Sequence, residues 1–257
     1  MWSGDPAFWG KTSPVLFPIV GSLKGDTFLY KDKKYGLSRH GFARECDFEI
    51  SGKTDETVSF SLMSNPDTFK NYPFNFELIL EYRLAESSLE VQYKVKNIGD
   101  ETMFFSIGGH PAFKTPLTDE TRYEDYFLLF NKKETAGRWP LSNDGLIEVS
   151  PDSFLDDENK LSLRKELFHK DAVVLKGLQS DVVSLRSDKH EHGLDFRFEG
   201  FPYLGIWAAK NADFVCIEPW CGIADSVNHN QKLEEKEGIQ RIEAGEEWER
   251  SWQVRVY

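Results

Sequence analysis

Residues 74–95 place the tightest limit on what this chain can become. Phe74, Phe76, Leu78, Leu80 and Tyr82 alternate with Asn75, Glu77, Glu81 and Arg83, and Ile79 is the one apolar exception. After a polar turn at residues 85–88, Leu89, Val91, Tyr93 and Val95 alternate with Glu90, Gln92, Lys94 and Lys96. Period two sends alternate side chains to opposite faces, so the pair predicts a long antiparallel hairpin with one buried and one wet face. Similar alternation recurs along most of the length. Trp248, Trp252, Val254 and Val256 share one face of a last strand. The 20 Phe, 9 Tyr and 7 Trp point the same way, since aromatic residues suit strands.

Other segments fit that frame. Val15, Leu16, Phe17, Ile19 and Val20 are interrupted by Pro14 and Pro18, which suits a winding edge segment. Phe28–Tyr30 and Tyr35–Leu37 predict a short hairpin, and Val58–Leu62 a strand. Asn65-Pro66 caps one helical turn through Phe69. Met103–Ile107 and Tyr126–Phe130 read as strands, and Glu158–His169 as a helix. Further strands are expected near residues 173–178, 182–186, 194–198 and 204–209. Together these predict one domain over residues 1–257, an all-β antiparallel sandwich with few short helices.

Charge and cysteine usage narrow the partners. With 31 basic and 43 acidic residues the net charge is −12, which argues against nucleic acid or an anionic membrane. No apolar run reaches the ~18 residues of a membrane span, and MWSGDPAFWG lacks the pattern of a signal peptide. Cys46, Cys216 and Cys221 are odd in number and form no CxxC pair, so free thiols and a cytoplasmic location are expected.

The chemistry concentrates at strand ends. In FVCIEPWCGIAD (214–225) an apolar strand delivers Glu218 into a Pro219-Trp220 turn. Pro219 holds Glu218 extended, beside an indole on which a sugar could stack. A carboxylate so placed is either an ion-pair partner or a working group. His110 follows Gly108-Gly109 and precedes Pro111, the same proline-pinned arrangement, and reads either as a structural hydrogen-bonding residue or as an acid. His40 sits in Arg39-His40-Gly41-Phe42-Ala43-Arg44 with the same two readings. The His190/His192 pair lies in a polar loop without a third ligand, His169 ends the expected helix, and His229 lies in a polar loop. Two histidines and one glutamate suit acid–base chemistry on a polar ligand. No P-loop, dinucleotide fingerprint, G-x-S-x-G or H-E-x-x-H occurs.

PVLFPIVG, HGFAR, YPFNFEL, GGHPAF, FPYLGIW and CIEPWCGIAD, in that order, resemble the aldose 1-epimerase (galactose mutarotase) family, and its LacX-type bacterial branch in particular. The resemblance runs over nearly the whole chain. It implies a galactose mutarotase-like antiparallel β-supersandwich that interconverts the α and β anomers of an aldose, with no metal or organic cofactor. It makes Glu218 the general base at the C1 hydroxyl and His110 the general acid at the ring oxygen. His40 would hold the sugar and help polarise that oxygen. Arg44 would contact a hydroxyl or phosphate, and Trp220, Phe113 and Asp225 would line the pocket.

Two departures qualify this expectation. Family members usually carry strands ahead of the WxGDPxxW region, where this chain begins, so a sheet edge could be left uncovered and invite a homodimer. Ser22 stands where relatives often place a sugar-contacting arginine, and whether nearby Lys24 compensates is left open by the sequence. A hexose-6-phosphate epimerase using Arg39, Arg44 and Lys24 is one alternative. The others are a non-catalytic sugar-binding protein and a glycosidase pairing Glu218 with Asp225.

Overall fold

The computed structural model describes residues 1–257, and antiparallel strands account for most of it. The hairpin read from alternation is present as Phe76–Ala85 paired with Ser88–Asn97. It belongs to a nine-stranded sheet whose spatial order is 152–162, 126–138, 182–187, 194–197, 247–256, 88–97, 76–85, 57–63, 49–53. Glu247–Val256 therefore lies inside this sheet, bonded to 88–97 on one side and 194–197 on the other. A second sheet runs 15–16, 107–109, 214–221, 203–207, 173–176, with 112–114 also paired to 214–221.

The inner faces of the two sheets share a core of 51 buried residues. Phe113 of the smaller sheet meets Phe196 of the larger, with ring centroids 6.0 Å apart. At Gly109 the sheets come closer still. A β-carbon there would lie 2.7 Å from Tyr93 Oη and 2.9 Å from Trp252 Nε1. Those two groups are hydrogen-bonded to each other, the indole N–H donating at 2.7 Å.

The prolines of the first segment leave only Val15–Leu16 as an edge strand against Gly109–Gly108. Asn65 caps the single α-helix, Pro66–Asn71, through a capping box with Thr68.

Two expectations are corrected. Residues 158–169 are not a helix. Asp152–Ser162 is an edge strand on 126–138, and only Lys165–Phe168 forms a 3-10 turn. Leu155 and Leu161 turn into the core while the charged residues stay exposed on the rim, and that pairing overrides local helix propensity. Met103–Ile107 is also not one strand. Met103–Phe105 pairs with Gln240–Ile242, and Ile107–Gly109 crosses into the smaller sheet.

Candidate active site

The strand Phe214–Cys221 carries the site because two prolines interrupt its ladder at one place. Its neighbour pairs in two pieces, Gly108–Ile107 against Trp220–Cys221 and Ala112–Lys114 against Cys216–Phe214. Between them lie His110 and Pro111, opposite Glu218 and Ile217. Neither Pro111 nor Pro219 can donate a ladder hydrogen bond. Only the Ile217 N–H bridges the gap, donating to the Pro111 carbonyl at 3.2 Å. The interruption turns His110 beside Glu218, with Nε2 3.3 Å from Oε2.

Both groups are buried, and burial sets their protonation. Loss of water pushes Glu218 well above the usual carboxylate range, with the Arg39 guanidinium pulling the other way. The same cause lowers His110 to about 3. His110 is held by aromatic rings. Trp9 stacks on it at 4.8 Å, and Trp207 meets it edge-on at 5.5 Å.

His40 occupies the left-handed region at φ +69°, ahead of Gly41 at +70°. Such a conformation costs about 1–3 kcal/mol and persists only where neighbours impose it. Gly21 does so on both sides. The His40 N–H donates to the Gly21 carbonyl at 2.9 Å, and the Gly21 N–H donates to His40 Nδ1 at 3.1 Å. Nδ1 is thus an acceptor, so the neutral ring carries its proton on Nε2. Burial, followed by the charges of His110, Arg39 and Arg44, keeps the ring neutral. His40 is a fixed donor at the cavity, with its ring centroid 6.0 Å from that of His110.

These side chains border a cavity of about 440 Å³, the size of a small-molecule site. Glu218, His110, His40, Arg44 and Trp220 all face it, as does Arg39. Trp220 lies flat against backbone that only glycine can provide. A β-carbon on Gly205 would sit 2.3 Å from its Cζ2, and one on Gly108 2.5 Å from its Cδ1. Gly205→Ala is expected to displace the indole and cost about 1–3 kcal/mol. Thermal unfolding would measure the cost, and tryptophan fluorescence the displacement.

Two expected pocket residues lie elsewhere. Phe113 points into the core between the sheets, because its side of the strand faces Phe196. Asp225 follows Gly222, which turns the chain at φ +101°, and is buried behind the cavity wall. Lys236 Nζ donates to Asp225 Oδ1 at 2.9 Å and to the Ile223 carbonyl, and the Lys24 N–H donates to Asp225 Oδ2 at 2.9 Å. The Lys24 ammonium is directed to the His229 carbonyl, so it does not reach the cavity. Ser22 is buried as well, with its carbonyl accepting from Asp225 N–H.

Other cavity residues carried no sequence signal strong enough to single them out. Trp9 and Trp207 are there, and so are His169, Lys170 and Asp171. Asp171, at φ +152°, forms a two-pronged ion pair with Arg39, both contacts at 3.1 Å. His169 reaches the cavity because the expected helix is absent. His190, expected in a solvated loop, is half-buried and hydrogen-bonded to Tyr126 Oη at 2.7 Å.

A family model described as Aldose 1-epimerase matches residues 1–254. The chain belongs to the aldose 1-epimerase family. Among its relatives is the plasmid-encoded protein LacX of Lactococcus lactis subsp. lactis, 35% identical over 94% of this chain and 84% of its own. The galactose mutarotase related enzyme of Lactobacillus acidophilus is 37% identical. It superposes with a TM-score of 0.94 over 100% of this chain and 86% of that one. A galactose mutarotase-like protein of Lactobacillus casei is 30% identical, with a TM-score of 0.92 over 100% of this chain and 88% of its own. The all-β, galactose mutarotase-like architecture expected from the sequence is therefore the one this epimerase-family chain adopts. No helix is long and apolar enough to cross a membrane.

Proposed function

We propose that the cavity interconverts the α and β anomers of a free aldose by opening and reclosing its ring. The observation that carries this reading is the Glu218–His110 pair, two buried titratable groups 3.3 Å apart at the floor of a sugar-sized cavity. Burial favours the neutral form of each, so the resting pair is a carboxylic acid beside an imidazole. Moving that one proton across the contact gives a carboxylate and an imidazolium, the form ready for reaction.

The Glu218 carboxylate takes the C1 hydroxyl proton while His110 gives its proton to the ring oxygen, and the C1–ring oxygen bond breaks. The products are an open-chain aldehyde, a carboxylic acid and a neutral imidazole. After the C1–C2 bond rotates, the same hydroxyl adds to the other face of the carbonyl. Its proton returns to His110, and Glu218 protonates the new C1 oxygen. The site ends as it began, as repeated turnover requires. The Nε2–H of His40 is placed to steady the ring oxygen or a neighbouring hydroxyl. Trp9, Trp207 and Trp220 offer flat apolar surface to the C–H face of a pyranose.

An unphosphorylated sugar is favoured because the guanidinium ends of both cavity arginines are bonded to protein groups. Arg39 is paired with Asp171, and Arg44 Nη2 donates to the Arg39 carbonyl at 2.9 Å. A phosphate site would call for open guanidinium forks.

The test is NMR exchange between anomers of freshly dissolved α-glucose and α-galactose. Wild-type protein should accelerate equilibration, and His110→Asn should reduce the effect by about 10²–10⁴-fold, the usual weight of one general acid. Full activity in His110→Asn would refute its role. Buffer-rate exchange with sugar binding intact by calorimetry would make this a binding protein.

A further inference from the structure

The reaction proposed above leaves one group beside the site unused. Cys216 lies two residues before Glu218 on the same strand, so period two turns both side chains to the same face. Its thiol is fully buried, and burial followed by the Glu218 charge pushes its pKa well up. Left to itself it is a small apolar filler. Its surroundings are not those of a filler, because an imidazole and a carboxylate stand next to it.

We propose that His110, Cys216 and Glu218 form a binding site for a thiophilic divalent ion of the zinc type, entered from the cavity, and that occupancy silences the site. One nitrogen, one sulfur and one carboxylate oxygen from these residues lie within 4.8 Å of one another. His110 Nε2 and Glu218 Oε2 are 3.3 Å apart. That is about the edge of a tetrahedron around zinc with ligands at about 2.0–2.1 Å. A nitrogen–sulfur edge in such a site is about 3.5 Å, so small side-chain rotations would close the third corner.

Charge balance fits the ion as well. A thiolate and a carboxylate offset its two positive charges, leaving a neutral assembly, the form a buried site tolerates best. A neutral imidazole donates its lone pair to a metal without losing a proton. The thiol, and the carboxyl where protonated, each release one on binding. Since His110 and Glu218 border the cavity, the fourth position stays open to water or a sugar hydroxyl. Metal binding would occupy the lone pairs that acid–base catalysis needs. The ion is thus an inhibitor of the proposed reaction and not a cofactor for it.

The binding claim stands apart from catalysis, and only the silencing claim rests on the proposed mutarotation. Untagged, chelator-stripped protein is titrated with Zn²⁺ by calorimetry in buffers of different ionisation enthalpy. Wild-type should bind one equivalent with proton release, and Cys216→Ser should bind about 100-fold more weakly or worse. Co²⁺ should give a thiolate charge-transfer band in wild-type that Cys216→Ser lacks. Cys216→Ala serves if the serine variant does not fold, and Cys46→Ser should behave as wild-type. Equal affinity in wild-type and the Cys216 variants would overturn the proposal by placing the ion elsewhere, for example at His190 and His192, and so would the absence of binding. In the activity arm, Zn²⁺ should slow anomer exchange in wild-type but not in Cys216→Ser, with chelator restoring the rate. Exchange at the buffer rate in both proteins would count against the mutarotase reading while calorimetry still decides the metal site.

Discussion

Glu218→Gln is expected to lower catalysed anomer exchange by about 10²–10⁴-fold without unfolding the protein. The amide is nearly isosteric with the carboxyl and adds no volume to a position that is 1% exposed. Nor does it strand a charge, because burial already drives Glu218 toward its neutral form. Thermal stability should therefore stay level or rise slightly, since an amide costs less to bury than a carboxylate. What is lost is the ability to accept the C1 hydroxyl proton. Chemistry should fail while binding persists, so the deficit belongs in kcat, with the calorimetric sugar affinity close to wild-type. Wild-type exchange rates in Glu218→Gln would remove this residue from the mechanism, and a folded variant with lost sugar affinity would recast it as a binding group.

Asp225→Ala is expected to destabilise the fold by about 3–5 kcal/mol, the usual result of stranding one partner of a buried ion pair. Lys236 would keep its ammonium with no water around it, since both side chains of the pair are wholly inaccessible. The double variant Asp225→Ala/Lys236→Met should recover much of that loss, because no charge remains to be buried. The pH dependence has a definite sign. Burial raises the Asp225 carboxyl, but His229, Lys236 and the Lys24 N–H together outweigh it and hold it at about 2. Against an unfolded value of about 3.9, this contributes about 2–3 kcal/mol above pH 4, lost as pH falls toward 2. Urea unfolding at pH 7 and pH 3 should show a smaller drop in Asp225→Ala than in wild-type. The pair also holds the Ile223 carbonyl, and Ile223 and Ala224 form part of the cavity wall. Sugar affinity should weaken alongside stability.

How far the sequence could be read depended on whether each signal was local. The hairpin over 74–95 was legible because alternation states which face is buried. His110 and Glu218 were legible because each precedes a proline at the end of an apolar strand. That His110 falls opposite Glu218 depends on strand register, which no local pattern announces. Residues 158–169 were misjudged for the same reason, since an edge strand rich in Asp, Glu, Asn and Lys looks like a solvated helix until its partner is known. Phe113 and Asp225 are motif neighbours of true cavity residues, but one pleat and one glycine turn send them away. Arg39 and Asp171, which are 132 residues apart, meet only in the folded chain.

The place of Glu247–Val256 within the large sheet has a consequence for how this protein is made. Strands 49–97 and 126–197 are not hydrogen-bonded to each other directly; they are joined through that one strand. During synthesis both blocks leave the ribosome before the strand that couples them exists. Until then each presents an open edge, at 88–97 and at 194–197, to whatever else is nearby. Completion of the large sheet must wait for residues 247–256, and its most distant pairings are the slow kind. For tens of residues the nascent chain carries both open edges, and a ribosome stalled shortly before codon 247 would hold two half-sheets with nothing to join them.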